Sequence, residues 1–178
     1  MFWKNKSKIN YDSCCSVCGK PHNDWPALAF NLPTSYHELT ESERESLTKI
    51  DLDFCEIKYK DQTDRFIRVV LKQKIKDYEK ELEYGLWVSL SVKNWNDYKL
   101  NYDNENHEVQ YFGWLNSRIP EYENTMNIPT TVITKKGNER PEIVPHQDHE
   151  HEFVEDFYNG ISKEEAEKRI HEMIKNAG

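Results

Sequence analysis

In three segments between Phe54 and Leu90 apolar side chains recur at every second position, and that period restricts the chain to few folds. Phe54-Cys55-Glu56-Ile57-Lys58-Tyr59 alternates, and Asp61 to Asp64 supplies a turn. Beyond it Ile67, Val69, Leu71 and Ile75 fall on one face of an extended segment, with Arg68, Lys72 and Lys74 on the other. Successive strand residues point to opposite faces, so the pattern predicts a half-buried antiparallel hairpin. Tyr84 to Leu90 predicts a third strand, with Leu86, Val88 and Leu90 together and Trp87 on the opposite, polar-facing side.

Shorter signals flank this hairpin. Thr40 and Glu43 stand in the S/T-x-x-E arrangement that caps a short helix reciprocally. Ser91 can cap another, in which Trp95, Tyr98 and Tyr102 share a face. Strands are expected at Val109 to Leu115, Thr130 to Thr134 and Glu142 to Val144, the last two separated by a Lys136-Gly137-Asn138 turn. Ser162-Lys163-Glu164-Glu165 is a second capping box, followed by Ala166, Ile170, Met173, Ile174 and Ala177 at helical spacing. The expected fold is therefore α+β in a single domain, residues 1–178. It has a mainly antiparallel sheet of about five or six strands, a few short helices, a C-terminal amphipathic helix and an N-terminal CxxC knuckle. Residues 14–33 would form the knuckle and loop, 53–145 the sheet-forming body and 162–177 the last helix.

A chain of 178 residues can bury one core without cross-links. Five Trp, ten Tyr and seven Phe supply aromatic bulk for it and argue against disorder. The formal net charge of −8 disfavours a general nucleic-acid role, since such a surface repels phosphate; residues 58–76 are the one basic-leaning stretch. No segment approaches the ~18–20 apolar residues that cross a bilayer. Met1 to Asn10 lacks the apolar run of a secretory signal. A cytoplasmic location follows as an expectation, with no membrane contact and with Cys14, Cys15, Cys18 and Cys55 reduced.

Cys15-Ser16-Val17-Cys18-Gly19 is the strongest local motif. Two thiolates two residues apart on a tight turn can both face one tetrahedral zinc, and His22 could supply a nitrogen. The fourth ligand would come from Cys55 or from His146, His149 or His151; Cys14 offers a shifted frame. A complete ribbon would carry a second CxxC, which this chain lacks. Structural Zn2+, a pair of plain reduced thiols and a redox dithiol all remain open, and no other cofactor is implied. His146-Gln147-Asp148-His149-Glu150-His151-Glu152 carries divalent-ion ligand types, yet reads first as a solvated loop and then as a contributor to a structural metal; a catalytic site comes last because no HExxH spacing is present. The sequence shows no nucleophile elbow, P-loop or dinucleotide fingerprint, so no catalytic residue is assigned.

Residues 111–122 are dense in aromatics. Trp114, Arg118 and Tyr122, with Trp87, are of the types that dominate binding hot spots. They are also the rings that fill cores, through the area each one buries.

Taken in order, these stretches resemble the bacterial domain of unknown function 2199. The resemblance is carried by Cys15-x-x-Cys18-Gly19-x-x-His22, Tyr36, Cys55, Phe66 and Gly85-Leu86-Trp87-Val88-Ser89-Leu90. It continues through Phe112-Gly113-Trp114-Leu115, Pro120, Tyr122, Thr125, Pro141, Asp148-His149 and Gly160-Ile161-Ser162. It implies a compact bacterial cytosolic protein with a candidate zinc knuckle, and no activity. Ile128-Pro129 departs from the family pattern and should delay a strand without abolishing it.

Three functional readings follow. The first is a non-enzymatic module that binds a protein partner, of which an immunity protein against a basic toxin domain is one form. The second is a metal-dependent enzyme using a His/Cys site, and the third a thiol-redox or zinc-sensing protein.

Overall fold

The computed structural model describes residues 25–177. In chain order the elements are β1 (Leu28–Ala29), α1 (Thr34–His37), α2 (Glu41–Leu47), β2 (Thr48–Ile50), β3 (Phe54–Lys58), β4 (Thr63–Gln73) and β5 (Leu82–Leu90). They continue with α3 (Val92–Leu100), β6 (Gln110–Leu115), β7 (Pro129–Ile133), β8 (Glu142–Pro145), α4 (Glu152–Asn159) and α5 (Lys163–Ala177).

The hairpin expected from the two-residue period is β3–β4, in register Cys55↔Phe66. β5 returns along the other edge of β4, from Phe66↔Ser89 to Gln73↔Leu82. β6, β7 and β8 then meander antiparallel. The sheet closes where β8 comes back parallel to β4 at Val70↔Glu142, with the Val70 N–H donating to the Pro141 carbonyl at 2.8 Å. A five-stranded barrel, β4-β5-β6-β7-β8, results, with β3 and β2 extending from β4 and β1 lying parallel to β5. The sheet is mainly antiparallel, as expected, but has eight strands among the described residues. The closure was not foreseen, because a single parallel pairing leaves no mark on either segment's periodicity. β7 does begin at Pro129, whose missing N–H is tolerated at a strand's first residue.

Ile67, Val69 and Leu71 of β4, Leu86 and Val88 of β5, Leu115, Val132 and Ile143 form the main core. Trp95 and Tyr98 of α3, Phe153 and Val154 of α4, and Ala166 and Ile170 of α5 join it. Each capped helix starts as its cap requires. Thr40 Oγ1 accepts from the Glu43 N–H while Glu43 Oε2 accepts from the Thr40 N–H. Ser91 Oγ accepts from Asn94 and Ser162 Oγ from Glu165. The apolar stripe of α5 is used only in part: Ala166 and Ile170 are buried, while Ile174 is exposed.

A second, smaller core lies on the opposite face of β3–β5. Cys55, Ile57, Phe66 and Trp87 pack there with Leu39, Phe30, Tyr36 and Leu47. Both faces of these strands are thus covered, which corrects the expectation of a polar-facing Trp87. Its side chain is 0% exposed, and its indole N–H donates to the Phe30 carbonyl at 2.9 Å. Residues 146–151 form loop and turn, and helix α4 beyond them is an element that was not expected: it buries Phe153 and Val154 and is ended by Gly160 at φ 80°, a conformation that costs glycine little.

Candidate functional site

On the outer face of the barrel, β6 shows one strand's alternation to solvent. Tyr111, Gly113 and Leu115 point inward, and Phe112 and Trp114 outward. Gly113 sits inside because a Cβ there would stand 3.1 Å from Val132 Cγ2 and 3.2 Å from the Ser89 carbonyl. Phe112 and Trp114 are 44% and 45% exposed and meet edge to face, with ring centroids 4.8 Å apart. Their cross-strand partners on β7 are Thr131 and Pro129. His146, just past β8, completes the strip: its ring lies 5.5 Å from that of Phe112, and its Nε2 is 3.2 Å from Thr131 Oγ1. Two rings held by a hydrogen-bonded ladder are ordered before any partner arrives, so little entropy is lost on contact.

Of the residues singled out from sequence for partner contact, Trp114 occupies this strip. Arg118 lies on the surface beyond the end of β6, its backbone N–H bonded to Thr34 Oγ1 at 2.8 Å and its guanidinium 3.3 Å from Glu38. Tyr122 is buried, as Trp87 is, and both side chains are unavailable to a partner as folded. Tyr122 is enclosed because Arg169 and Asp156 bond its hydroxyl at 2.8 Å each. Phe112 and His146 were missed as contact residues. The alternation through residues 110–115 could have identified Phe112, whereas His146 arrives only through the β7–β8 pairing.

The metal candidates separate. Cys15, Cys18 and His22, with Cys14, lie outside the described residues. Cys55 is fully enclosed by apolar side chains, and burial, aided by the charges of Glu56 and Asp51, pushes its thiol up to about 12. Its surroundings oppose the thiolate that a zinc ligand must be. His149 stacks on His151, with ring centroids 6.4 Å apart. His151 is engaged as the N-cap of α4, its Nδ1 accepting from the Phe153 N–H at 3.0 Å. Among the described residues no three His, Cys, Asp or Glu side chains converge on a metal position. The histidine-rich segment has structural uses: a turn, a cap and an aromatic contact.

A second feature of the outer surface is a cleft of about 660 Å³ between β3 and β8, lined by Asp53, Val70, Lys72, Tyr102, Arg140 and Glu142 among others. Arg140 Nε donates to Asp53 Oδ1 at 2.7 Å, and the Tyr102 hydroxyl to Asp53 Oδ2 at 2.5 Å. No sequence signal joined these residues, since Asp53 and Arg140 are brought together only by barrel closure.

Among the described residues no helix is long and apolar enough to cross a membrane. A family model described as "Uncharacterized protein conserved in bacteria (DUF2199)" matches residues 14–161. No curated protein and no solved structure matches the chain.

Proposed function

The chain belongs to this bacterial family of uncharacterised proteins, and from that premise we propose that it is a non-enzymatic protein-binding module whose contact surface centres on Trp114 and Phe112. The observation that carries the reading is the exposed edge-to-face pair on a rigid strand. Tryptophan anchors dominate interface energetics when a partner seals them from water. The net charge of −8 favours a basic partner, which the field of the protein would attract before contact. Blocking a cationic toxin domain, as an immunity protein does, is one role with this chemistry. The reading includes a structural zinc at Cys15, Cys18 and His22 that would stiffen the segment before β1, with its remaining ligand outside the Cys55 pocket. Neither the metal-dependent enzyme nor the thiol sensor gains support from the described residues.

The test uses the full chain and a Phe112→Ser/Trp114→Ser variant as bait in lysate of a bacterium that encodes it. A basic protein retained by the wild type should bind the variant at least about 100-fold more weakly once purified, as expected for loss of two anchors. Equal affinity for both baits, or no protein retained by the wild type, rejects the reading.

A further inference from the structure

The basic-leaning stretch that begins at Lys58 takes no part in the aromatic strip. In β3, Cys55 and Ile57 face the smaller core, so Glu56 and Lys58 point to the opposite side of the sheet. Strand register carries that face across three strands. Lys49 of β2 stands opposite Glu56, Glu56 opposite Arg65 of β4, and Lys58 opposite Thr63. These five side chains, with residues 46–48 at the junction of α2 and β2, line a pocket of about 250 Å³.

Over the whole chain acidic residues outnumber basic ones, 32 to 24. In this lining the balance is inverted: Lys49, Lys58 and Arg65 surround the single carboxylate of Glu56, which leaves an excess of positive charge. Arg65 Nε lies 3.5 Å from Glu56 Oε2, and its Nη1 donates to the Thr63 carbonyl at 3.0 Å. The guanidinium also stands 5.7 Å from the centroid of the Trp95 ring, and Lys99 Nζ 4.4 Å from the same centroid, so a fourth cation is close by. Neither Lys49 nor Lys58 has a carboxylate within ion-pair distance among the described residues. Both lysines are exposed, and 19% of the Arg65 side chain remains open, so an anion in the pocket can reach all three. Like charges gathered on neighbouring strands repel one another, and an anion seated among them relieves that repulsion.

We propose that this pocket binds the phosphate group of a small ligand. Lys49 and Lys58 supply mobile point charges, and Arg65 a planar donor set held in place by Glu56, Thr63 and Trp95. Thr63 adds a hydroxyl at the same wall. Among the described residues no aromatic ring lines the pocket, so a base has nothing to stack on, which favours a small phosphorylated compound over a nucleic-acid strand. The site shares no residue with the strip of Trp114 and Phe112, so it goes beyond the partner-binding reading and stands or falls independently of it.

The experiment is a chemical-shift titration of the isotope-labelled full chain with inorganic phosphate, at constant ionic strength in chloride. The amides of Lys49, Lys58, Thr63 and Arg65 should shift together and saturate. Lys49→Gln/Lys58→Gln should bind at least about tenfold more weakly, because two of the three converging charges are gone. Lys136→Gln/Lys175→Gln, which removes two exposed lysines elsewhere, should bind as the wild type does. Three results overturn the proposal: no saturable shift at these amides, equal phosphate affinity in Lys49→Gln/Lys58→Gln, or an equal loss in the control variant. A thymidine oligonucleotide without terminal phosphate should leave these amides in place. Tighter binding of that strand than of phosphate would replace the small-ligand site with a nucleic-acid surface. Should the double variant fail to fold, Lys58→Gln alone decides: about threefold weaker binding is expected, and an affinity equal to wild type rejects the site.

Discussion

The guanidinium of Arg169 donates to the Tyr122 hydroxyl across 2.8 Å, and that hydroxyl in turn donates to Asp156 Oδ2 at 2.8 Å. Arg169 is 4% exposed and also reaches the Tyr84 hydroxyl at 3.1 Å and Glu165 at 2.9 Å. One side chain therefore ties α5 to α4, to β5 and to the segment after β6. Arg169→Met would leave several of these polar groups facing an apolar stem. We expect it to cost about 2–4 kcal/mol in urea unfolding, and Tyr122→Phe about 1–2 kcal/mol. A loss below about 1 kcal/mol for Arg169→Met would show that the barrel holds its helices without this network.

Alkaline pH should unfold the protein through its buried acids. Burial is the main reason that Tyr84 is pushed up to about 12, with Arg169 opposing it. Tyr102 is also pushed up to about 12, by burial and then by its bond to Asp53. Cys55 reaches about 12 for the burial reason already given. These groups stay protonated in the folded chain at a pH where the unfolded chain has lost their protons. The unfolded state then binds fewer protons, so stability falls as pH rises. The stability is fully present below the unfolded values, about 8.5 for Cys and 10 for Tyr, and is lost up to about 12. Denaturant midpoints measured from pH 8 upward should decline across that window, and a flat profile would contradict the burial of these groups.

Cys55 should resist iodoacetamide at neutral pH in the folded chain and react once the chain is unfolded, because only the thiolate attacks. Mass spectrometry of the alkylated peptides separates it from the N-terminal cysteines. Rapid native labelling of Cys55 would mean that the core on its face of the sheet opens readily.

Trp87 and Trp114 should behave oppositely. Trp87→Ala removes a fully buried ring from the smaller core and should cost about 3–5 kcal/mol. Trp114→Ser removes a half-exposed ring and should change stability by less than about 1 kcal/mol. Chemical unfolding of both variants checks this, and a severe loss for Trp114→Ser would reassign its strip from contact surface to structural support.

Elemental analysis of untagged full chain should find about one zinc, absent from Cys18→Ser and retained in Cys55→Ala. Metal-free wild type would remove the zinc from the proposed function and leave the aromatic strip standing on its own.

Much of the fold could be read along the chain. The β3–β4 hairpin, β5, both capping boxes and α5 each rest on a period or a cap that neighbours in sequence determine. Local signal failed where an element depends on what it packs against. β1 and β2 are too short to show a period, and α4 starts on a histidine cap within a run read as solvated. Of the site, Trp114 was identified from its residue type alone, and Phe112 was passed over in the same strand.

The sequence by itself determined strands β3 to β8 and helices α2, α3 and α5, because alternation and capping act over a few residues. It also set the acidic character of the surface, a sum that no fold alters. Only the tertiary structure decided which aromatic rings meet water. A strand's pattern distinguishes its two faces but cannot say whether a second layer covers the other one, as α1 and α2 do over Trp87. Nor could it place Asp53 beside Arg140, since that proximity is made by the one parallel pairing that closes the barrel at Val70 and Glu142.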